Sequence, residues 1–235
     1  MKRKITTIGF DADDTLWHNE TFFHLTQQRF AEMLADYADS DHLSERLIEA
    51  EIRNIKTYGY GVKGFTLSMI ETAIEITNQT VPANLLSEIL NMGKDMLDHP
   101  VDLFPGAKET ITSLSGKFEL VLITKGDLLH QERKLAQSGL GDYFSGVEIV
   151  SEKSAETYRS AFLRHGTGAE EAMMVGNSMK SDVLPALSAG SWGTLVPHEL
   201  EWELEKAPEP VGHSKFHEIE NLSGLPPLLE RVSNI

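Results

Sequence analysis

The sequence predicts an α/β fold, in which a parallel sheet is interrupted, directly after its first strand, by a block of helices. After Pro105-Gly106, short apolar runs alternate with segments of helical periodicity, which is the pattern of parallel strands joined by helices. Between residues 19 and 96, by contrast, apolar residues recur at three- and four-residue spacing, the period of a helix face. The first strand itself is an apolar, β-branched run that ends in an acidic turn.

The composition bounds the class of protein. With 235 residues, the chain fits one large domain or one core with an insertion. Hydrophobic residues make up 40% of it, enough for a core, yet no run reaches the roughly 18 apolar residues of a membrane-spanning helix. The first four residues are basic, but the apolar stretch behind them is too short and too polar for a signal peptide, so we expect a cytoplasmic protein.

Cysteine content and charge exclude several functions. No cysteine is present, which excludes disulfides, thiolate metal sites and a cysteine nucleophile. The formal net charge of −15 repels nucleic acid and anionic membranes, so we expect neither as a partner. The same charge repels a phosphorylated small molecule, so such a ligand would need a local cation, either a metal ion or a lysine, to hold it.

The predicted elements follow one another in a definite order. The first strand is expected over residues 4–10, followed by an acidic turn. Helices are expected from about residue 19 to residue 97, except where Gly59, Gly61 and Gly64 interrupt them. Residues 199–215 are acidic, contain proline and are interpreted as a surface loop. We predict further strands at 120–124, 147–150, 172–176 and 193–196, and further helices at 107–114, 128–138, 154–165 and 181–189.

Polar side chains follow the ends of these strands, and function in parallel sheets is found at that edge. Asp11, Asp13, Asp14 and Thr15 come directly after the first strand. Clustered carboxylates repel one another, and a divalent cation is the usual compensation. The alternative interpretation is a turn whose carboxylates cap the following helix.

The second and third strands also end in candidate binding residues. Thr124, Lys125 and Gly126 can offer a hydroxyl group and unobstructed backbone N–H groups to an anion. Lys153 follows the third strand, and its place at a carboxyl end favours a functional role. Alternatively, Thr124 caps a strand-to-helix turn and Lys153 is an ordinary exposed lysine before a helix.

The fourth strand ends in Gly176 and Asn177, and Asp182 follows five residues further on. Glycine allows the backbone to approach closely, while Asn and Asp offer oxygen ligands to a hard cation. These residues also suit the start of a helix, with Asp182 in the first turn. The two interpretations are compatible.

Taken together, these residues resemble the motifs of the haloacid dehalogenase (HAD) superfamily, in particular its C1-capped, phosphatase-like subgroup. The resemblance covers nearly the whole chain. The first motif of the family, DxDxT, is present as Asp11, Asp13 and Thr15. The strand-terminal Ser or Thr of the second motif is matched by Thr124, and the Lys of the third motif by Lys153.

The fourth motif of the family, usually GDxxxD or GDxxxxD, is where this chain departs from the pattern. Asn177 stands in place of the first Asp, and Asp182 holds the second acidic place. Asn can ligate Mg²⁺ through its amide oxygen but without charge, so we expect a weaker metal site. The resemblance further implies a Rossmannoid core at residues 1–16 and 98–235 and an α-helical C1 cap at residues 17–97. The glycine-interrupted stretch 58–64 is a candidate specificity or hinge loop of that cap.

The activity that the resemblance implies is Mg²⁺-dependent hydrolysis of a phosphomonoester. Asp11 would attack phosphorus and form an aspartyl-phosphate. Asp13 would act as general acid toward the leaving group and then as base toward water. Mg²⁺ would be held by the Asp11 side chain, the Asp13 backbone carbonyl and the loop that carries Asn177 and Asp182.

The other matched residues would bind the phosphate. The Thr124 hydroxyl and the backbone N–H groups of Lys125 and Gly126 would contact its oxygens, while Lys153 would neutralise phosphate and nucleophile together. The partner would be a small phosphorylated molecule, and sugar phosphates, nucleoside monophosphates and phosphoglycolate-like acids all remain open. The protein would act as a monomer or a homodimer.

Three alternatives on the same scaffold remain open. A hydrolytic dehalogenase needs no Mg²⁺ and lacks the second Asp of the first motif, so Asp13 argues against it, whereas Asn177 favours it faintly. A phosphomutase would use the same aspartyl-phosphate but release little phosphate. A non-catalytic binding protein would not need the intact set of acidic and basic residues at the strand ends.

Overall fold

A parallel sheet forms the centre of the computed structural model, which describes residues 4–200 and 202–233. In this part of the chain six strands pair in the order β3-β2-β1-β4-β5-β6, and every pairing is parallel. The strands are β1 (Thr7–Phe10), β2 (Glu119–Lys125), β3 (Gly146–Val150), β4 (Ala172–Gly176), β5 (Trp192–Leu195) and β6 (Phe216–Glu218).

Helices precede, connect and follow the strands along the chain, which confirms the predicted α/β class. None of the helices in the described residues is long and apolar enough to cross a membrane. They are α1 (Glu20–Met33), α2 (Ser40–Tyr58), α3 (Val62–Ile76), α4 (Ala83–Asp98), α5 (Ala107–Leu114), α6 (Leu128–Ser138), α7 (Ala155–His165), α8 (Leu184–Ala189) and α9 (Leu225–Ser233).

The structure differs from the sequence prediction in three elements. The helix expected over 181–189 begins with a π turn, Met179–Val183, before α8. The sheet gains β6, a strand too short for an apolar pattern, and the chain gains α9. Pro226 and Pro227 mask that helix in the sequence, but a proline in the first turn removes no intrahelical hydrogen bond.

The chain divides into two compact units. The core unit comprises Met1–Glu20, Val101–Lys125 and Gln131–Ile235, and the helical unit comprises Thr21–Pro100 and Gly126–His130. The role of residues 17–97 as a cap over a core stays a prediction.

In the core unit, apolar side chains cover both faces of the sheet, as expected when strands are joined by helical crossovers. Along β2, Leu120 and Leu122 are buried in one cluster with α5 and α9, while Val121 and Ile123 are buried in another with α7. Phe10, the last residue of β1, lies opposite Leu122 and opposite Val175 of β4. The loops that follow β1, β2 and β4 therefore leave the sheet at one edge.

The helical unit has its own core. Apolar side chains of α1 to α4 form one buried cluster, which includes Phe30, Leu47 and Met69. A Cβ atom at Gly93 of α4 would overlap the Thr66 side chain of α3, so the glycine lets these two helices pack closely.

Candidate active site

The loop after β1 is shaped by Asp14. Its backbone has a φ of 58°, a left-handed conformation that Asp adopts more readily than most residues. Its buried carboxylate accepts hydrogen bonds from the backbone N–H groups of Asn19, at 2.9 Å, and Glu20, at 3.0 Å. Asp14 therefore caps the N-terminus of α1, which is the capping role that sequence reasoning offered as the alternative for this acidic cluster.

Asp11, Lys153 and Asp182 form a buried ion cluster at the edge of the sheet. The Lys153 ammonium donates to an Asp11 carboxylate oxygen and, at 2.7 Å, to Asp182 Oδ1. The Lys153 side chain is only 2% exposed. Burial raises the pKa of Asp11 to about 7; the Lys153 charge opposes this rise, and the Asp182 charge adds to it. Burial would lower the pKa of Lys153, but the two carboxylates together raise it above its ordinary value.

The loop after β4 holds Asp182 in place. The backbone N–H of Ser178 donates to Asp182 Oδ2 at 3.0 Å, and the Tyr158 hydroxyl donates to the Ser181 carbonyl at 2.8 Å. A Cβ atom at Gly176 would overlap the Asp182 carboxylate, so the position requires glycine. The extra residue of the π turn accommodates the five-residue spacing between Asn177 and Asp182.

Asn177 lies among oxygen atoms of the first motif. Its backbone N–H donates to Thr15 Oγ1 at 3.0 Å. One terminal atom of its amide lies 3.2 Å from each of three oxygens: Asp11 Oδ2, the Asp13 backbone carbonyl and Thr15 Oγ1. The amide nitrogen suits this place, because its two N–H groups face three acceptors. With a cation, the amide oxygen would face the same point as a ligand.

These oxygens fit a hard divalent cation. No group of three His, Asp or Glu side chains that could hold a metal ion occurs in the described residues. A cation beside Asn177 would therefore be bound by the Asp11 carboxylate, the Asp13 carbonyl and the amide. Asp182 already bonds to Lys153 and to a backbone N–H, so its predicted place among the ligands stays a prediction.

The Asp13 carboxylate is held by three donors. Lys134 Nζ and Trp17 Nε1 each donate to Asp13 Oδ1 at 2.6 Å, and Gln131 Nε2 donates to Asp13 Oδ2 at 3.0 Å. Burial alone would raise the pKa of Asp13, but the Lys134 charge and these hydrogen bonds lower it overall. Sequence reasoning missed Gln131 and Lys134, because a polar pair on a helix carries no sign of its target.

Thr124 and Lys125 extend the site along β2. Thr124 Oγ1 accepts a hydrogen bond from Gln131 Nε2 at 2.8 Å. The Lys125 ammonium donates to Ser181 Oγ at 2.8 Å and to Glu205 Oε1 at 2.7 Å. Gly126 has a φ of 127°, which a side chain would disfavour, and belongs to the segment grouped with the helical unit.

Glu205 is a site residue that the sequence analysis overlooked. It lies in the stretch interpreted as a surface loop, yet its side chain is only 15% exposed. Besides Lys125, it accepts a hydrogen bond from Ser178 Oγ at 2.6 Å. Burial raises the pKa of Glu205, but the Lys125 charge and these bonds hold it below its usual value. A single Glu in an acidic, aperiodic stretch carries no sequence signal of burial.

In the core unit, the structure brings together the predicted Asp11, Asp13, Thr124, Lys125, Lys153, Asn177 and Asp182 at one edge of the sheet. The buried Asp11 carboxylate lies there beside the Lys153 ammonium and the oxygens around Asn177, and the Asp13 carboxylate is close by. Such a site can present a nucleophile and a proton-transfer group to an anionic ligand.

The chain is similar in sequence to known hydrolases. A sequence profile of the haloacid dehalogenase-like hydrolases matches residues 5–190. Glyceraldehyde 3-phosphate phosphatase of Methanothermobacter thermautotrophicus is 26% identical over 207 residues, which cover 83% of this chain and 87% of that protein. Pyrimidine 5'-nucleotidase YjjG of Escherichia coli is 24% identical over 227 residues, which cover 92% of this chain and 96% of that protein.

A solved structure extends the comparison to nearly the whole chain. It is a haloacid dehalogenase-like family hydrolase from Xanthomonas campestris, with a TM-score of 0.88 and 38% sequence identity. The match covers 99% of this chain and 93% of that one. The core sheet and its associated helices are therefore shared with that hydrolase.

Proposed function

Because the chain belongs to the haloacid dehalogenase-like hydrolase family, we propose that it hydrolyses a small-molecule phosphomonoester, with Mg²⁺, through an aspartyl-phosphate on Asp11. The observation that carries the proposal is the buried cluster of Asp11, Lys153 and the oxygens around Asn177. It supplies a nucleophile, a positive charge for phosphate and a place for a divalent cation in one site.

In the first step, an Asp11 carboxylate oxygen forms a bond to phosphorus while the bond from phosphorus to the leaving oxygen breaks. Asp13 donates a proton to that oxygen and becomes a carboxylate. It must therefore be protonated in the substrate complex, although Lys134 and the hydrogen bonds lower its pKa in the protein alone. In the second step, a water oxygen forms a bond to phosphorus, the bond from phosphorus to the Asp11 oxygen breaks, and the water gives a proton to Asp13. Inorganic phosphate leaves, and both aspartates return to their starting states.

The phosphate requires positive charge and donors, because the chain as a whole carries a charge of −15. Lys153 would bind a phosphate oxygen while still contacting Asp11. The Thr124 hydroxyl accepts from Gln131 and donates to the Lys125 carbonyl at 3.3 Å, so it would turn its proton from that carbonyl to a phosphate oxygen when substrate binds. The backbone N–H groups of Lys125 and Gly126 are proposed as further donors.

Mg²⁺ would be held by the Asp11 carboxylate, the Asp13 carbonyl and the Asn177 amide oxygen, with Asp182 in the same loop. When bound, it supplies positive charge that offsets the repulsion between the nucleophilic carboxylate and the phosphate. A neutral amide in place of a carboxylate removes one negative charge from this set. We therefore expect weaker Mg²⁺ binding than in a site with aspartate at position 177.

The substrate is proposed only as a class. The two curated relatives are named for a triose phosphate and for pyrimidine nucleotides, and both are small phosphomonoesters. Residues 17–97 are proposed to act as a cap that excludes water, with residues 58–64 as its specificity or hinge loop. A cytoplasmic monomer or homodimer without nucleic acid or membrane partners completes the proposal.

A dehalogenase of the same fold is the second candidate, favoured by Asn177 and opposed by Asp13. A phosphomutase or a non-catalytic binding protein is left as an outcome of the same experiment. In a mutase, the phosphoryl group would return to a substrate hydroxyl instead of passing to water.

The test is hydrolysis of p-nitrophenyl phosphate with and without Mg²⁺, by the native protein and by Asp11→Asn. We expect Mg²⁺-dependent phosphate release that falls on the order of 10⁴-fold or more in the variant. Circular dichroism of the variant should be unchanged. Chloride release from 2-chloropropionate, measured in parallel, would instead identify a dehalogenase. Full activity in Asp11→Asn with a native spectrum would contradict the nucleophile assignment.

A further inference from the structure

We propose that Gln131 and Lys134 of α6 are positioning residues that hold the Asp13 carboxylate in its place for proton transfer. The inference rests on the proposed function, in which Asp13 acts as general acid and base. The two residues lie one turn apart on the same helix face. Both are buried, with exposed fractions of 3% and 7%.

Lys134 supplies the charged contact. Its ammonium lies 2.6 Å from Asp13 Oδ1 and donates a second hydrogen bond, at 3.2 Å, to Asn19 Oδ1. Trp17 Nε1 donates to the same Asp13 oxygen at 2.6 Å. A buried lysine is rare unless it is paired, and here its pairing partner is the carboxylate itself. Without Lys134, the donors to Asp13 that remain among the described residues, Trp17 and Gln131, are neutral.

Gln131 joins the first motif to the second. Its amide nitrogen faces three acceptors, namely Asp13 Oδ2 at 3.0 Å, Thr124 Oγ1 at 2.8 Å and the Lys125 carbonyl at 2.7 Å. An amide oxygen in that place would meet these acceptors unfavourably, so the orientation of the Gln131 side chain is determined. The Thr124 hydroxyl in turn donates to the Lys125 carbonyl at 3.3 Å.

The consequence is that both oxygens of Asp13 have a defined position. Lys134 and Trp17 hold one oxygen, and Gln131 holds the other at a set distance from the Thr124 hydroxyl. Proton transfer needs the carboxyl group within hydrogen-bond distance of the leaving oxygen, and small displacements are costly. The two α6 residues act through Asp13 and need no contact with substrate.

The test compares two leaving groups. p-Nitrophenolate leaves as a stable anion and needs little help from an acid, whereas the alkoxide of an alkyl phosphate such as glycerol 3-phosphate must be protonated. For Lys134→Met we expect kcat/KM on glycerol 3-phosphate to fall on the order of 100-fold, because this constant reports the first step, in which Asp13 acts as the acid. On p-nitrophenyl phosphate, kcat/KM should fall less than about 5-fold, whereas the second step, in which Asp13 acts as base, is common to both esters. Gln131→Met should show the same selectivity with a smaller loss on the alkyl ester.

Two controls separate positioning from general damage. Lys108→Met removes an exposed lysine of α5 and should change neither substrate's kcat. Lys134→Arg keeps a cation, so its kcat/KM on glycerol 3-phosphate should be at least about ten times that of Lys134→Met. An equal fall in kcat/KM on both phosphate esters, or no fall on the alkyl ester, would overturn the proposal.

A second readout does not depend on activity. A crystal structure of Lys134→Met should show the Asp13 carboxylate displaced from its bond to Trp17. An unmoved Asp13 would refute the positioning role, and Gln131→Met provides the same measurement if the first variant does not fold. If the native protein hydrolyses neither ester, the proposed function fails. The crystal structure of the variant still decides whether Lys134 positions Asp13.

Discussion

In the core unit, one ion cluster around Lys153 is buried at the edge of the sheet, whereas in the helical unit a comparable cluster around Arg53 lies at half-exposed positions on α2 and α3. The Lys153 side chain is 2% exposed and contacts two carboxylates. The Arg53 side chain is 45% exposed and also contacts two carboxylates, Glu71 and Glu75. The same arrangement of charges thus occurs in two dielectric environments.

This difference in burial distinguishes charges placed for function from ordinary charges on the protein surface. Burying charged groups costs several kcal/mol per ion unless partners compensate, and a hydrophobic replacement is often at least as stable. Three charged groups buried together in the core unit are therefore hard to explain by stability alone. The exposed pairs of the helical unit have no such cost, and each contributes little.

The largest effect on stability should follow from removing the buried cation. Lys153→Met leaves Asp11 and Asp182 buried without a positive partner, which should lower the free energy of unfolding by about 3–5 kcal/mol. Asp11→Asn removes one of the two anions facing Lys153, so it should leave the unfolding free energy unchanged or higher. Denaturant unfolding in the absence of divalent cations measures both changes.

A double variant sharpens this test. Asp11→Asn combined with Lys153→Met leaves a single buried carboxylate, so it should be more stable than Lys153→Met alone. If Lys153→Met unfolds at the same denaturant concentration as the native protein, the buried cluster does not carry the electrostatic cost assigned to it.

The sequence predicts the positions of some buried polar residues of the core unit but not of others. Asp11 and Lys153 could be placed because each follows a buried strand, and parallel strands end at one edge. Glu205, Gln131 and Lys134 could not, because their charged partners Lys125 and Asp13 are 80 or more residues away in the chain. Local patterns record which face of an element is apolar, but they do not record which polar residue a fold will bury.

The same limit applies to whole elements. β1 and β2 are predicted because their apolar runs are long enough to stand out, while β6 has three residues and relies on pairing with β5. The π turn could not be predicted either, since it depends on how the loop after β4 brings Asp182 to Lys153. Periodicity therefore predicts the sheet and most helices but not the tertiary contacts that complete the site.

A smaller effect on stability is expected from replacing Asn177, whose side-chain amide lies among oxygen atoms of the core unit. Asn177→Asp adds a carboxylate beside Asp11 Oδ2, so the apo protein should be slightly less stable because like charges repel. Bound Mg²⁺ should more than offset this, and its affinity should rise about tenfold while hydrolysis is retained. Isothermal titration with Mg²⁺ and thermal unfolding with and without the ion measure these changes.

Asn84→Asp is the matched control for that substitution, since it makes the same change in charge at an exposed position of α4. Its Mg²⁺ affinity should equal that of the native protein. A large loss of activity in Asn177→Asp without a gain in Mg²⁺ affinity would contradict a ligand role for the amide.

The smallest effect should occur in the helical unit. Arg53 Nη2 lies 2.6 Å from Glu71 Oε1 and 3.0 Å from Glu75 Oε1, but water and salt screen these pairs. Arg53→Met should therefore lower the unfolding free energy by less than about 1 kcal/mol, and by less still at 1 M salt. kcat on p-nitrophenyl phosphate should not change. Both Arg53→Met and Lys153→Met replace the central cation of a triad with methionine, and the two sites differ chiefly in burial. A loss of unfolding free energy in Arg53→Met as large as that in Lys153→Met would show that exposure does not separate the two kinds of ion pair.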